Sequence, residues 1–254
     1  MLAIHPVRAF KDNYIWILEQ GGNAAAVDPG DAAPVEAFLE SRDLELTAVL
    51  ATHHHADHVG GLPALASHWR CPTFGPKREV AEKLDRRLSH GERFEVPGLG
   101  ISLETLDIPG HTAGHIALFG EGMVFCGDTL FACGCGRLFE GTPAKMVDSL
   151  AKLARLPRET RVYCGHEYTL ANIRFAERVE PSNRALAERK ARESAKRARN
   201  EPTLPSTIGE ELATNPFLRC AEPDVIAAAE HHAGRKLKST VEVFAEVREW
   251  KNNS

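Results

Sequence analysis

The sequence lacks any long hydrophobic run, since none of its apolar stretches approaches the roughly 20 residues that cross a bilayer. Its opening, MLAIHPVRAF, has no basic cap, apolar block or small-residue cleavage site of the kind that a secretion signal requires. Its six cysteines have no framework-like spacing, so we expect reduced thiols and no disulfide scaffold. Together these absences predict a cytoplasmic protein.

The sequence also lacks a strong charge of either sign. Lys and Arg number 31 against 35 Asp and Glu, for a formal net charge of −4. This balance provides no global attraction to nucleic acid or to an anionic membrane. The basic run RKARESAKRAR is interrupted by Glu193 and small residues, which favours a solvated helix face. We therefore expect neither nucleic acid nor a membrane as a partner. A small-molecule partner and a monomeric state are our further expectations.

Two kinds of pattern divide the chain. Up to about residue 166, short apolar runs bounded by Gly, Pro and Asp alternate with helical segments, which predicts a layered α/β sandwich. After residue 166 long helical segments dominate, with the proline-containing stretch NEPTLPSTIGEELATNPF predicted as a loop between them. We therefore predict an α/β domain over residues 1–166 and a smaller all-helical domain over residues 167–254.

Histidine, by contrast, is plentiful, and four of the twelve histidines surround one aspartate just after an apolar run. His53 and His55 are two residues apart in extended chain and so share one face, whereas His54 points away. Asp57 and His58 follow at the start of a predicted helix. One or two of these residues could cap the helix or bond to backbone. As a set, paired imidazoles with a carboxylate are typical ligands of borderline metals.

Three further candidate ligands each follow a strand or turn and a glycine, so all could meet at one edge of the sheets. They are His111 in DIPGHTAGH, Asp128 in FCGDTLF and His166 in YCGHEYT. We expect His115 to support its turn. Seven ligands exceed the three or four of one tetrahedral zinc and suit two metals about 3.5–4 Å apart. Asp128, with two oxygens to divide, is the natural bridge.

These motifs carry a resemblance to known proteins. The stretch THHHADH, with the downstream histidines and aspartate, resembles the metallo-β-lactamase superfamily. Within it, the chain resembles the glyoxalase II family, the hydroxyacylglutathione hydrolases, from end to end. The segments that carry this second resemblance are DTLFACGCGRLFEGTPAKM, CGHEYTLANIRFA, NPFLR and VREWK. The resemblance implies an αββα catalytic sandwich followed by a helical substrate-binding domain.

The resemblance also implies how two divalent metal ions share the ligands. One would be held by His53, His55 and His111, the other by Asp57, His58 and His166, with Asp128 bridging them. Mixed nitrogen and oxygen ligands suit zinc first, and also iron or manganese.

The implied reaction is hydrolysis of S-(2-hydroxyacyl)glutathione thioesters, with S-lactoylglutathione giving lactate and glutathione in the second step of methylglyoxal detoxification. Two cations that share a water lower its pKa toward neutrality, so a metal-bridging hydroxide would be the nucleophile. Asp128 would hold both metals and Asp57 would orient the hydroxide. The leaving thiolate has a conjugate-acid pKa of about 8.5, so a dedicated general acid is less necessary than in amide cleavage.

The resemblance points to five substrate-binding residues, which are Arg137, Phe139, Tyr168, Arg248 and Lys251. The last two, three apart on a helix, would face the same way and clamp a glutathione carboxylate, although a solvated helix end is the alternative. Phe139 replaces the tyrosine of many relatives and so lacks its hydroxyl. The alternative functions are a glutathione persulfide dioxygenase of the same superfamily, a nucleic-acid-processing hydrolase, and a structural or storage metal module.

Overall fold

The computed structural model describes residues 1–79 and 84–254. The chain forms two compact units whose segments interleave along the sequence. Unit 1 comprises Met1–Asp107, Thr112–Gly127 and Tyr163–His166, and unit 2 comprises Ile108–His111, Asp128–Val162 and Glu167–Ser254. The expected boundary at residue 166 instead divides the chain into two continuous domains, residues 1–166 and 167–254. That division stays a prediction.

The first sheet of unit 1 has six strands within the described residues, in sequence order across the sheet. They are β1 (Ala3–Ala9), β2 (Asn13–Gln20), β3 (Asn23–Val27), β4 (Glu45–Leu50), β5 (Thr73–Pro76) and β6 (Arg86–Leu88). The first three strands are antiparallel, and β3 to β6 run parallel. Gly21 and Gly22 form the turn between β2 and β3, where they adopt the positive φ angles of 62° and 85° that glycine tolerates.

Three helices follow strands of this sheet, namely α1 (Ala32–Arg42), α2 (Ala56–Val59) and α3 (Leu62–Trp69). Asp31 caps α1, because its Oδ1 accepts a hydrogen bond of 3.1 Å from the backbone N of Ala33. Val35 of α1 and Leu65 of α3 share one apolar cluster with Ile15 of β2. These two helices therefore cover one face of the sheet.

The second sheet begins with the meander β7 (Arg93–Val96), β8 (Ile101–Asp107), β9 (Ile116–Gly120) and β10 (Met123–Gly127). A short ribbon, β11 (Leu130–Phe131) with β12 (Gly134–Cys135), is separate from it. Next in the chain, β13 (Arg161–Cys164) joins the sheet beside β10, and its first two residues pair with β14 (Ser206–Thr207).

Aromatic contacts join the two sheets inside unit 1. The rings of Trp16 and Tyr163 meet edge to face at 4.8 Å, and those of Phe74 and Phe94 stack at 5.1 Å. Such contacts between facing sheets form the core of a sandwich. The predicted layered α/β sandwich is thus confirmed.

The helices of unit 2 are α4 (Pro143–Ala154), α5 (Thr169–Val179), α6 (Arg184–Ala198), α7 (Ile208–Thr214), α8 (Pro223–Ala233) and α9 (Thr240–Asn252). The helical character predicted after residue 166 is confirmed. The prediction of a plain loop over residues 200–217 is wrong, because that segment contains β14 and α7. The Thr207 side chain caps α7 by accepting from the backbone N of Glu210, and the helix buries Glu211. Among the described residues, no helix has both the length and the apolar character to cross a membrane.

Candidate metal centre

The exit of β4 is held in place by a buried carboxylate. Asp28 accepts hydrogen bonds of 2.7 Å from both the backbone N and the Oγ1 of Thr52. Thr52 Oγ1 in turn accepts from His53 Nδ1 at 3.1 Å, so the Nε2 atom of His53 is left to face away from this chain of bonds. The backbone therefore enters the histidine-rich segment with a defined direction.

Three of the predicted ligands meet in unit 1. His166 Nε2 lies 3.4 Å from His58 Nε2 and 3.4 Å from Asp57 Oδ2, and the third distance, between His58 Nε2 and Asp57 Oδ2, is 3.5 Å. Ligand atoms bonded at about 2.0–2.1 Å to a tetrahedral ion are separated by about 3.3 Å. The three atoms thus have the spacing of one triangular face of a tetrahedral metal site, and the donor set fits a divalent ion.

Each of these ligands is oriented by a second polar side chain. His58 Nδ1 donates to Asp28 Oδ2 at 3.1 Å, and His166 Nδ1 donates to Asp12 Oδ1 at 2.8 Å. These carboxylates accept only, so they set the tautomer that leaves Nε2 available to a metal. Asn13 Nδ2 donates to the Asp57 carboxylate at 3.0 Å. All three contacts between a predicted ligand and its partner are thus made by side chains of unit 1.

Sequence reasoning missed Asp12, Asn13 and Asp28. Their signal in the sequence is that each stands at or beside a turn: Asp12 lies between β1 and β2, Asn13 begins β2, and Asp28 directly follows β3. Turn residues of this type are common for local reasons. The pattern alone therefore does not mark them as partners of distant histidines.

The remaining histidines of this segment lie beside His53. Its ring centroid is 4.8 Å from that of His55 and 4.2 Å from that of His58. His115 stacks on His53 at 4.5 Å with an interplanar angle of 16°. His54 points away, as the alternation along the chain predicted, and its Nδ1 lies 2.9 Å from Glu79 Oε2.

The other two predicted ligands meet in unit 2. His111 Nε2 lies 3.5 Å from Asp128 Oδ2, and His111 Nδ1 donates to the backbone O of Arg137 at 2.9 Å. A side chain at Gly136 would not fit, since its Cβ would stand 1.9 Å from the Asp128 carbonyl oxygen and 3.0 Å from His111 Nδ1. The glycine therefore lets the loop close around this pair.

The predicted substrate residues all belong to unit 2. Arg137, Phe139 and Arg248 line one groove of about 660 Å³. Arg248 is buried, donates from Nη1 to the backbone O of Cys135 at 2.9 Å and lies over the Phe217 ring at 5.0 Å. Arg248 thus contributes its positive charge at the wall of the groove.

The other two predicted substrate residues have different neighbours. Lys251 donates from Nζ to the backbone O of Ala171 at 3.3 Å and lies over the Phe175 ring at 5.0 Å. The Tyr168 and Phe131 rings meet edge to face at 5.3 Å. The shared carboxylate clamp expected for Arg248 and Lys251 stays a prediction.

The pKa of Lys251 is lowered to about 8. Burial of the ammonium group is the main cause, and the positive charges of Arg248 and Arg174 add to it. Lys251 therefore changes charge near physiological pH, which an ordinary lysine does not.

Two family models together match almost the whole chain. A family model described as the metallo-beta-lactamase superfamily matches residues 9–166, and one described as the hydroxyacylglutathione hydrolase C-terminus matches residues 167–254. The chain therefore consists of a metallo-β-lactamase-superfamily domain followed by a helical C-terminal domain, as predicted.

Full-length relatives narrow the assignment. The chain is 51% identical over 253 residues to a hydroxyacylglutathione hydrolase of Nitrosomonas eutropha, covering 100% of this chain and 99% of the relative. It is 54% identical over 256 residues to one of Alkalilimnicola ehrlichii, covering 100% of both. The protein belongs to the hydroxyacylglutathione hydrolase family, also called glyoxalase II.

Two solved structures are also similar. ETHE1 from Myxococcus xanthus is 26% identical with a TM-score of 0.68, over 98% of this chain and 90% of that one. TTHA1623, solved in a di-iron-bound form, is 26% identical with a TM-score of 0.61, over 84% of this chain and 100% of that one. A metal-containing form is thus known for a protein that this chain resembles.

Proposed function

We propose that this protein hydrolyses S-(2-hydroxyacyl)glutathione thioesters, and that it converts S-lactoylglutathione to lactate and glutathione in methylglyoxal detoxification. The observation that carries the proposal is the triangle of Asp57, His58 and His166, whose donor atoms face one another at metal-ligand spacing. Full-length relatives named for hydroxyacylglutathione hydrolysis support the same substrate class.

The proposal includes two divalent metal ions, and zinc is the expected metal. The triangle would hold one ion, and the family resemblance assigns His53, His55 and His111 to the other and Asp128 to both. When bound, such ions stabilise negative charge on a carbonyl oxygen and make a water acidic enough to act as nucleophile near neutral pH. The di-iron form of TTHA1623 makes iron the first alternative to zinc.

The chain's own residues prepare the ligands for this role. Asp12 and Asp28 hold their histidines in one tautomer, which removes the cost of reorienting the rings during catalysis. Asn13 restrains the Asp57 carboxylate, which in turn would orient the attacking water. Because the departing group is a thiolate, whose conjugate acid has a pKa of about 8.5, a separate proton donor is not essential.

The groove of unit 2 suits the glutathione part of the substrate. Arg137 and Arg248 line it and provide positive charge for a carboxylate, as part of the proposed binding set with Tyr168 and Lys251. Phe139 has 62% of its surface exposed and contributes an apolar face without a hydroxyl group. The cytoplasmic location and the monomeric state stay predictions.

The experiment that tests the function follows thioester absorbance with purified, zinc-loaded protein. We expect hydrolysis of S-lactoylglutathione, its loss after chelation, and its recovery when zinc is restored. A lactoyl thioester of N-acetylcysteamine is the matched control, because it carries no carboxylate and should react at least about tenfold more slowly.

Two outcomes would contradict the proposal. Oxygen consumption with glutathione persulfide, without thioester hydrolysis, would favour the dioxygenase alternative. Bound metal without turnover of any acyl thiol would favour a structural or storage role.

A pH profile tests the part of the proposal that concerns Lys251. Since its pKa is lowered to about 8, the ammonium is charged below that pH and neutral above it. We expect kcat/KM for S-lactoylglutathione to decline as the pH rises through about 8, because this ratio reports groups of the free enzyme. Lys251→Arg keeps its charge and should remove the decline. An unchanged profile in this variant would exclude the role of Lys251.

A further inference from the structure

A buried carboxylate outside the proposed ligand set contacts one segment that contains proposed ligands and another that directly follows one. Glu79 has only 4% of its surface exposed. Its Oε2 lies 2.9 Å from His54 Nδ1, and its Oε1 accepts from the backbone N of Gly114 at 2.9 Å and from Thr112 Oγ1. Both oxygens of the carboxylate are therefore engaged, each by a different segment.

A carboxylate is costly to bury unless hydrogen bonds replace its hydration. Here three donors replace the hydration of the Glu79 carboxylate. Because a carboxylate can only accept hydrogen bonds, the His54 atom that faces it, Nδ1, carries the proton. Removal of the Glu79 side chain would leave the backbone N–H of Gly114 and the hydroxyl of Thr112 without this acceptor. The contacts therefore hold the two segments to a common point.

The packing around Gly114 shows how close this contact is. A Cβ on Gly114 would stand 2.5 Å from Glu79 Cγ and 3.0 Å from the backbone C of Arg78. Only glycine lets the backbone approach the glutamate to this distance. Residues 112–114 thus have little freedom to shift along the Glu79 side chain.

The contacted residues are direct chain neighbours of the proposed ligands. His54 stands between His53 and His55, and Thr112 directly follows His111. We infer that Glu79 is a positioning residue that holds the His53–His55 segment and the segment beginning at Thr112 in the register that metal binding requires. This inference rests on the proposed function, because it concerns the same metal site.

The test compares Glu79→Ala, Glu79→Gln and Thr112→Val with the wild-type protein. Zinc affinity is measured by competition with a chromophoric chelator, and the cobalt-substituted proteins are compared by their visible spectra. For Glu79→Ala we expect zinc affinity to fall about 10–100-fold, the range seen when groups that orient metal ligands are lost. We also expect a changed cobalt spectrum, a reduced kcat and a nearly unchanged KM for S-lactoylglutathione.

The two milder variants separate positioning from simple stability. Glu79→Gln keeps the size and one acceptor oxygen, and Thr112→Val removes one donor, so both should lose less zinc affinity than Glu79→Ala. If the alanine variant does not fold, these two decide the question by the same measurements. Wild-type affinity and spectrum in the folded variants, with only a lower melting temperature, would overturn the inference.

Failure of the inference is distinguishable from failure of the proposed function. Zinc affinity and the cobalt spectrum do not depend on which thioester is cleaved. If the wild-type protein binds zinc and leaves S-lactoylglutathione intact, the proposed function fails while a weakened metal site in Glu79→Ala still supports the positioning role. If the wild-type protein cleaves the substrate and all variants bind zinc equally, only the positioning role fails.

Discussion

Replacement of His166 by alanine is expected to lower the bound metal and to reduce kcat/KM for S-lactoylglutathione by at least about 10³-fold. The substitution removes one corner of the triangle that His166 forms with Asp57 and His58. It also leaves Asp12 without the histidine that it orients. Metal ions supply several kcal/mol of transition-state stabilisation, and each 1.36 kcal/mol corresponds to a factor of ten in rate. The measurements are metal analysis of the dialysed protein and the thioester assay.

Asp12→Asn is the matched control for this prediction. Its amide keeps the size of the carboxylate but forms a weaker hydrogen bond with His166 Nδ1. We therefore expect kcat/KM for S-lactoylglutathione to fall about 10–100-fold. Its metal content should lie between those of the wild-type protein and of His166→Ala. If His166→Ala retained both the metal and the activity of the wild type, the triangle would not be the metal site.

The second large effect is expected from Glu211→Ala, which should lower the free energy of unfolding by about 3–5 kcal/mol. Glu211 is fully buried in α7, and its Oε1 accepts from Arg189 Nη2 at 2.7 Å. Its Oε2 accepts from the backbone N of Cys133 at 2.8 Å and from Asn215 Nδ2 at 3.0 Å. Removal of this carboxylate would leave the buried Arg189 guanidinium without its main counter-charge.

Urea denaturation and the melting temperature check this prediction. For a chain of this size, the expected loss of unfolding free energy corresponds to a decrease of roughly 10 °C in the melting temperature. Glu210→Ala is the matched control, since Glu210 is partly exposed and its Oε2 lies 3.4 Å from Arg189 Nη2, farther than the Glu211 carboxylate. We expect that substitution to lower the free energy of unfolding by at most about 1 kcal/mol, as for other exposed ion pairs.

A double variant shows whether the unpaired charge is the cause. In Arg189→Met with Glu211→Gln both charges are gone, and the glutamine oxygen can still accept from the Cys133 backbone N–H. Because replacement of a whole buried pair is far less costly than removal of one partner, this variant should be more stable than Glu211→Ala. A double variant that is less stable than Glu211→Ala would show that the loss comes from packing.

The position of Cys133 explains why this network matters for the site. The residue has a φ of +55°, a left-handed conformation that a non-glycine residue adopts at a cost. It lies in the loop between Asp128 and Arg137, and its backbone is held by the Glu211 carboxylate. The buried ion pair of the helices thus restrains a loop that carries a proposed ligand and a proposed substrate residue.

Much of the site was predictable because it depends on local pattern. His53 and His55 share a face through the two-residue period of extended chain, and that same period sends His54 toward Glu79. His166 follows a strand and a glycine, and it lies beside Asp57 and His58, with which the family resemblance groups it. Such features need only a few neighbouring residues to be recognised.

The partners of these ligands were not predictable in the same way. Asp12 is 154 residues away from His166, and Glu79 is 33 residues away from Thr112. In the sequence, an aspartate in a turn or a glutamate among other polar residues looks the same whether or not it contacts a histidine. Only packing of the strands brings these groups together, because hydrogen-bond partners in a core are chosen by proximity in space.

The sequence by itself determined the α/β and helical parts of this protein, its histidine-rich motif and its family, because periodicity and motif spacing are written in consecutive residues. The tertiary structure alone decided which carboxylates orient the histidines and that α7 forms within residues 200–217. It also decided that Arg189 is buried against Glu211 rather than on a solvated helix face. The physical reason is that burial removes water, and each buried polar group must then find a partner that the fold, rather than the local sequence, supplies.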